Sequence, residues 1–189
     1  MTGPGLKKAR RRGVDIVFFD EFGFSFQEPL ARTWAPKGKR PVVRRIERER
    51  RSISTAVGLT LSGKIYKRHF PGGMKSPQVI EALEHIHRYL PNGFILIWDR
   101  GSIHTSAQTE AYLAAHPEII VEPLPSYAPE LNPEEYCHGN AKQHLKNATP
   151  NTKGEVCHLL DREFARLRHR PDLLLHFIHH AGLSVRQLW

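Results

Sequence analysis

Two stretches of this chain, VDIVFF at 14–19 and FILIW at 94–98, are apolar on both faces of an extended strand, and each runs straight into an aspartate, Asp20 and Asp99. Strands apolar on both sides belong at the centre of a sheet that helices cover on both faces. In open α/β sheets the carboxyl ends of such strands are where loops diverge and leave a crevice for ligands. Set side by side, the two strands would bring both carboxylates close together. Like charges at a half-buried edge repel, and one pKa rises unless a cation intervenes. Magnesium and manganese suit that edge, because they prefer hard oxygen ligands and keep positions free for water and substrate phosphates. The competing reading is that each aspartate merely begins a turn or caps the next element.

The remaining pattern supplies the rest of such a sheet. QEPLARTWAPKGKRP (27–41) is a Pro/Gly-rich excursion, for which Trp34 and Phe24 are the expected anchors. After the charged run RRIERERR (44–51), SISTAVGLTL and KIYKRHF flank Ser62-Gly63, a hairpin pattern. SPQVIEALEHIHRYL (76–90) predicts a helix, with Ser76 as N-cap, Pro77 at the first helical position and Val79, Ile80, Leu83, Ile86 and Leu90 on one stripe. A short helix at 106–116 and a strand at 118–124 follow. A helix at 131–147 is capped by Asn132 with Pro133 in its first turn, and two more helices cover 152–168 and 171–180. Strands paired locally at first and later alternating with helices make a mixed sheet with helices packed on it.

Composition narrows the partner. The 189 residues are 40% hydrophobic and 9% aromatic, enough for a core, and no apolar run approaches the length of a membrane span. Lys and Arg outnumber Asp and Glu by 28 to 19, a formal charge of +9 that favours a polyanion, nucleic acid first and an anionic membrane second. Residues 1–13 carry five of these cations and read as a basic arm suited to phosphate. Cys137 and Cys157 form no framework of paired spacings, and without a signal peptide pattern the chain reads as intracellular.

A third carboxylate lies in SYAPELNPEEYCHGNAKQHLK, where Asn132 followed by Glu135 has the spacing of a capping box. Helical phase alone leaves Glu134 and Glu135 open as the one facing the sheet edge. Cys137, His138, His144, Cys157 and His158 are of zinc-ligand type, but their spacing matches no finger pattern.

Four ordered blocks carry a resemblance. FFDEFGFSFQEP with RTWAPKGKRP, ILIWDRGSIHTS, LPSYAPELNPEEY and KQHLK resemble the first-aspartate, second-aspartate and Asn-Pro-x-Glu blocks and the basic helix end of the mariner-like DDE transposases, in their bacterial insertion-sequence branch. The resemblance covers roughly residues 14–148 and implies a ribonuclease H-like fold: α/β, a mixed five-stranded sheet with helices on both faces. The division it implies is a basic arm at 1–13, a catalytic domain at 14–148, and a helical C-terminal extension at 149–189 packed on that domain.

Carried over by position, the family's metal-binding triad falls on Asp20, Asp99 and Glu135. The implied cofactor is Mg2+ or Mn2+, as two ions, and the implied activity is phosphodiester hydrolysis followed by 3'-hydroxyl strand transfer. Double-stranded DNA at element ends and target is the expected partner, with Trp34, Lys37, Lys39, Arg40, Arg100, His104 and Lys142 as candidate contacts. A homodimer is expected in the active complex, together with a helix-turn-helix part, fused or separate, before the catalytic domain. The place of action would be the bacterial cytoplasm, on the nucleoid, with no membrane partner.

Two positions depart from the family pattern. Arg100 stands where Asn often follows the second aspartate, and His138 where Trp often stands three residues after the glutamate. The alternative is a DNA-binding or assembly protein that keeps the fold without catalysis.

Overall fold

A computed structural model describes residues 13–25, 32–42, 52–125 and 128–183. The basic arm up to residue 12, the charged run 44–51 and Ser126-Tyr127 of the third block lie outside the described residues.

Five strands form one sheet in the order β3-β2-β1-β4-β5. They are β1 Asp15–Ser25, β2 Ser52–Thr60, β3 Ile65–Pro71, β4 Phe94–Trp98 and β5 Ile119–Pro123. β1 pairs antiparallel with β2 and parallel with β4, β2 pairs antiparallel with β3, and β4 parallel with β5. This is the mixed five-stranded sheet expected of a ribonuclease H-like domain. The two strands read as central lie side by side at its middle.

Period-two alternation divides the core. Ile16, Phe18, Phe22 and Phe24 of β1 face one side, where they join Val156, Leu160, Phe164, Leu174 and Ile178. Those partners belong to α4 Lys153–Arg168 and α5 Pro171–His180, beside α3 Pro133–His144. Val17 and Phe19 face the other side, against Val79, Ala82, Leu83 and Ile86 of α1 Ser76–Tyr89, with Tyr112 and Leu113 of α2 Ala107–Ala115 at the margin. Helices therefore cover both faces. Among the described residues no helix is long and apolar enough to cross a membrane.

Two local expectations change. Helix α1 begins one residue early: Lys75 is its N-cap, and the Gln78 side chain accepts the Lys75 N–H at 3.0 Å. Ser76 instead accepts a hydrogen bond from the Ser106 hydroxyl at 2.7 Å, tying the starts of α1 and α2 together. Trp34 is 99% exposed and anchors nothing among the described residues, whereas Phe24 is buried as expected.

Glycine at 58 is a packing requirement. A Cβ there would lie 2.8 Å from Ile86 Cδ1 and 2.9 Å from Val17 Cγ1, so the helix-to-sheet contact leaves no room for a methyl group. Gly58→Ala is expected to lower unfolding stability by about 1 kcal/mol, overpacking outweighing the gain in strand propensity. Urea denaturation of the variant would measure it, and an unchanged midpoint would show that Ile86 yields freely.

Candidate functional site

The parallel ladder between β1 and β4 runs from Asp15 opposite Phe94 to Phe18 opposite Ile97. β4 then ends at Trp98, while β1 continues to Ser25 along β2. Asp20 thus sits inside its strand, not at its end as the apolar run suggested, because pairing with β2 carries the strand onward. The gap that β4 leaves beside it is the expected crevice.

Asp20 points to the α3 side, in phase with Phe18 and Phe22. Its Oδ1 accepts the Glu21 N–H at 2.8 Å, and its Oδ2 accepts the Asn132 side-chain amide at 2.9 Å. Its pKa is pushed up from 3.8 to about 7, first by burial, then by the Glu21 charge, with Glu135 and Asp99 adding to it against the Glu21 N–H. Each of those three acids is therefore close enough to be felt electrostatically.

Asp99 directly follows β4 and is exposed, with its Oδ1 taking the Gly101 N–H at 2.8 Å. The same oxygen lies 2.7 Å from His104 Nδ1, whose other ring nitrogen is 3.1 Å from Glu21 Oε2. His104 is buried and stacks on Trp98 at 4.3 Å between centroids. Burial opposes its protonation, but the hydrogen bond and charge of Glu21, with Asp99 behind them, raise its pKa overall. This histidine fixes one oxygen of Asp99 and leaves Oδ2 as the outer one.

The third block supplies both glutamates, in different roles. Asn132 caps α3 by accepting the Glu134 N–H at 3.2 Å, so one side chain both caps the helix and holds Asp20. Glu135 is exposed, and no bond from its side chain back to Asn132 completes a capping box. Glu134 is fully buried, in contact with His138 one turn on. His138 packs on Phe22 at 4.2 Å between ring centroids, and Lys142 Nζ lies 5.6 Å over that same ring.

Burial, then the charges of Asp20, Glu135 and Glu21, hold the Glu134 carboxyl well above its usual range. Burial, with Lys142, holds His138 well below its own. His138 Nε2 touches Glu134 Oε2 as a pair, and the two Glu134 oxygens and that nitrogen are buried with no other hydrogen-bond partner. Asp20, Glu134 and His138 each offer an atom within 4.8 Å of the others.

Asp99 and Glu135 are exposed, and their charges act on Asp20. Oxygen-rich, electrostatically uncompensated and partly orphaned, the whole cluster fits a divalent cation by the chemistry of its donors. A buried carboxyl without a donor is costly, and a cation or a proton is what would offset it.

The other expected residues are dispersed. Trp34, Lys37, Lys39 and Arg40 are exposed in the segment 32–42, and Arg100 is exposed beside Asp99. His104 lies under Asp99, not on the surface, and Lys142 covers the Phe22 end of the site. Of the zinc-type residues, Cys137 is buried in the core and only His138 enters a group of converging ligand atoms among the described residues. Glu21 went unremarked in the sequence. Its signal was parity: next to Asp20 on the strand, it must face the opposite side, where His104 waits.

The sequence profile of a family described as "DDE superfamily endonuclease" matches residues 15–157. No curated protein matches the chain. Among solved structures, the chain is similar to the Mos1 transposase paired-end complex with left transposon end, at 22% identity and a TM-score of 0.63 over 94% of this chain and 59% of that one. It is similar to the Mos1 mariner paired-end complex with Mn, at 22% identity and a TM-score of 0.62 over 94% and 59%. The catalytic domain of Mos1 mariner transposase matches at 20% identity and a TM-score of 0.58, over 95% of this chain and 89% of that one. At these identities the likeness is one of fold, and this chain spans 59% of the chains in the two complexes.

Proposed function

Because the chain belongs to the DDE superfamily endonuclease family, we propose that it is the catalytic domain of a DNA transposase of the insertion-sequence type, cutting phosphodiester bonds at element ends and joining the freed 3'-hydroxyls to target DNA. The observation that supports the reading is Asp20, which burial and then the charges of Glu21, Glu135 and Asp99 drive up to about 7, beside Glu134 and His138 with converging ligand atoms. A folded protein keeps so unfavourable a cluster where a cation is to be held.

Asp20, Asp99 and Glu135 are the proposed ligands of Mg2+ or Mn2+, two ions in all, with Glu134 and His138 beneath them. Bound there, divalent ions supply an activated water or 3'-hydroxyl and stabilise the leaving oxygen. The chain's own residues do the positioning. Asn132 and the Glu21 N–H orient Asp20, while His104 and the Gly101 N–H orient Asp99. Trp34 offers a stacking surface, and Lys37, Lys39, Arg40, Arg100 and Lys142 a salt-sensitive grip on double-stranded DNA. A homodimer and a helix-turn-helix part complete the proposed assembly, at work on the nucleoid in the bacterial cytoplasm.

The test is nicking of supercoiled plasmid at low salt with manganese, with magnesium and with chelator, comparing the native chain with Asp99→Asn. Metal-dependent nicking that disappears in the variant supports the reading. Nicking equal in both points to a contaminating nuclease and withdraws the support, whereas DNA binding without nicking by a native chain that does bind Mn2+ favours a non-catalytic DNA-binding protein of the same fold.

A further inference from the structure

At the far end of β4 from Asp99, side chains from three elements meet. His87 lies in the last turn of α1, His116 caps the C-terminus of α2, and Glu118 immediately precedes β5. His87 Nε2 is 3.2 Å and His116 Nδ1 3.0 Å from one and the same oxygen, Glu118 Oε1. The two imidazoles stand 5.3 Å apart at 83°, so their nitrogens approach that oxygen from different directions instead of stacking. One potential ligand atom from each residue lies within 4.8 Å of the others.

The arrangement is built into the backbone. Gly93, at φ +85°, passes so close to residue 118 that a Cβ there would sit 2.2 Å from the Glu118 carbonyl oxygen. Only glycine lets the turn before β4 and the turn before β5 press together and set Glu118 between the two histidines. The Tyr112 ring packs beside His116 at 4.5 Å between centroids.

Two imidazole nitrogens with one carboxylate form a donor set for borderline ions such as Zn2+, Co2+ or Ni2+, unlike the all-oxygen preference of Mg2+. The side chains are 21%, 34% and 33% exposed, open to an ion from solvent yet held in place. We propose that His87, His116 and Glu118 bind one late first-row transition ion, separate from the catalytic carboxylates, which ties the C-terminal ends of α1 and α2 to the start of β5. Its role would be to lock the helix-covered face that carries Val79, Leu83 and Ile86 onto the parallel half of the sheet.

The test uses the full chain with Asp20→Asn and Asp99→Asn, so that the catalytic carboxylates do not compete. Co2+ is titrated and followed by visible absorption, and Zn2+ by calorimetry and thermal melting. The expected result is one equivalent bound, a melting temperature raised by Zn2+ and not by Mg2+, and affinity weakened about tenfold or more by His87→Gln and by His116→Gln. Binding that survives both substitutions, or no binding by the parent, overturns the proposal. Should His87→Gln fail to fold, Glu118→Gln and His116→Gln decide the matter, because both residues are more exposed. Nicking by the otherwise native chain with His116→Gln separates this site from the proposed catalysis: activity in Mg2+ is expected to be unchanged.

Discussion

Asp20→Asn is expected to abolish metal-dependent nicking and, in the same protein without metal, to raise stability above pH 7. The two effects share one cause. Burial and the charges of Glu21, Glu135 and Asp99 lift the Asp20 carboxyl from 3.8 to about 7 in the folded protein. Between those values the folded chain binds a proton that the unfolded chain releases. The stability this proton contributes is complete below the unfolded value and is lost as pH rises through the folded one.

Asparagine cannot ionise, so the variant's stability should stay flat across that window and exceed the native at pH 8. At about 1.4 kcal/mol per pH unit the gain has an upper bound on the order of 4 kcal/mol. Divalent metal should reverse the order, because Mn2+ stabilises only the chain that binds it. For nicking, losing a ligand to the ions that polarise the phosphate costs several kcal/mol of barrier, a fall of about a thousandfold or more. Melting curves at pH 5 and pH 8, with Mn2+ and with chelator, check the first half and plasmid nicking the second. A variant less stable than native at pH 8 without metal would mean that Asp20 is satisfied in ways its neighbours do not suggest.

The second large effect concerns the pair beneath the site. His138→Leu should destabilise the fold by about 1–3 kcal/mol, because it removes the one polar side chain that touches the buried Glu134 carboxyl among the described residues. Replacing both, as Glu134→Leu with His138→Phe, should restore or exceed native stability, since an apolar pair of similar volume carries no desolvation cost. His138 already packs on Phe22, so an aromatic ring there meets a surface prepared for it. The double variant should also gain less thermal stability from Mn2+, because two of the three converging donors are gone. A single variant as stable as native, or a double variant no better than the single, would show that the pair is already well compensated. Chemical denaturation of the three proteins, combined as a double-mutant cycle, measures the coupling.

Local chemistry made much of this molecule legible. Runs apolar on both faces could only be central strands, so VDIVFF and FILIW were identified before any packing was seen, and the Ser62-Gly63 hairpin and the helices followed from period and turn residues. The ordered blocks around Asp20, Asp99 and Asn132-Pro133 gave the family, because their residue types and spacing survive without coordinates.

What the sequence left open depends on neighbours distant in the chain. Helical phase did not separate Glu134 from Glu135; packing of α3 on Phe22 did, burying the first and leaving the second exposed. Asp20 read as a strand end because its apolar run stops there, and only pairing with β2 carries β1 on to Ser25. His104 looked like a loop histidine until the fold brought Glu21 and Asp99 to its two ring nitrogens. No spacing links His87, His116 and Glu118, which meet because β4 and β5 start side by side and Gly93 lets them touch. The sequence by itself determined which residues can be strand, helix and ligand, since propensity and donor chemistry are local. Which ligands share one crevice, and which charges must be compensated there, only the tertiary structure decided, because both depend on distance and burial.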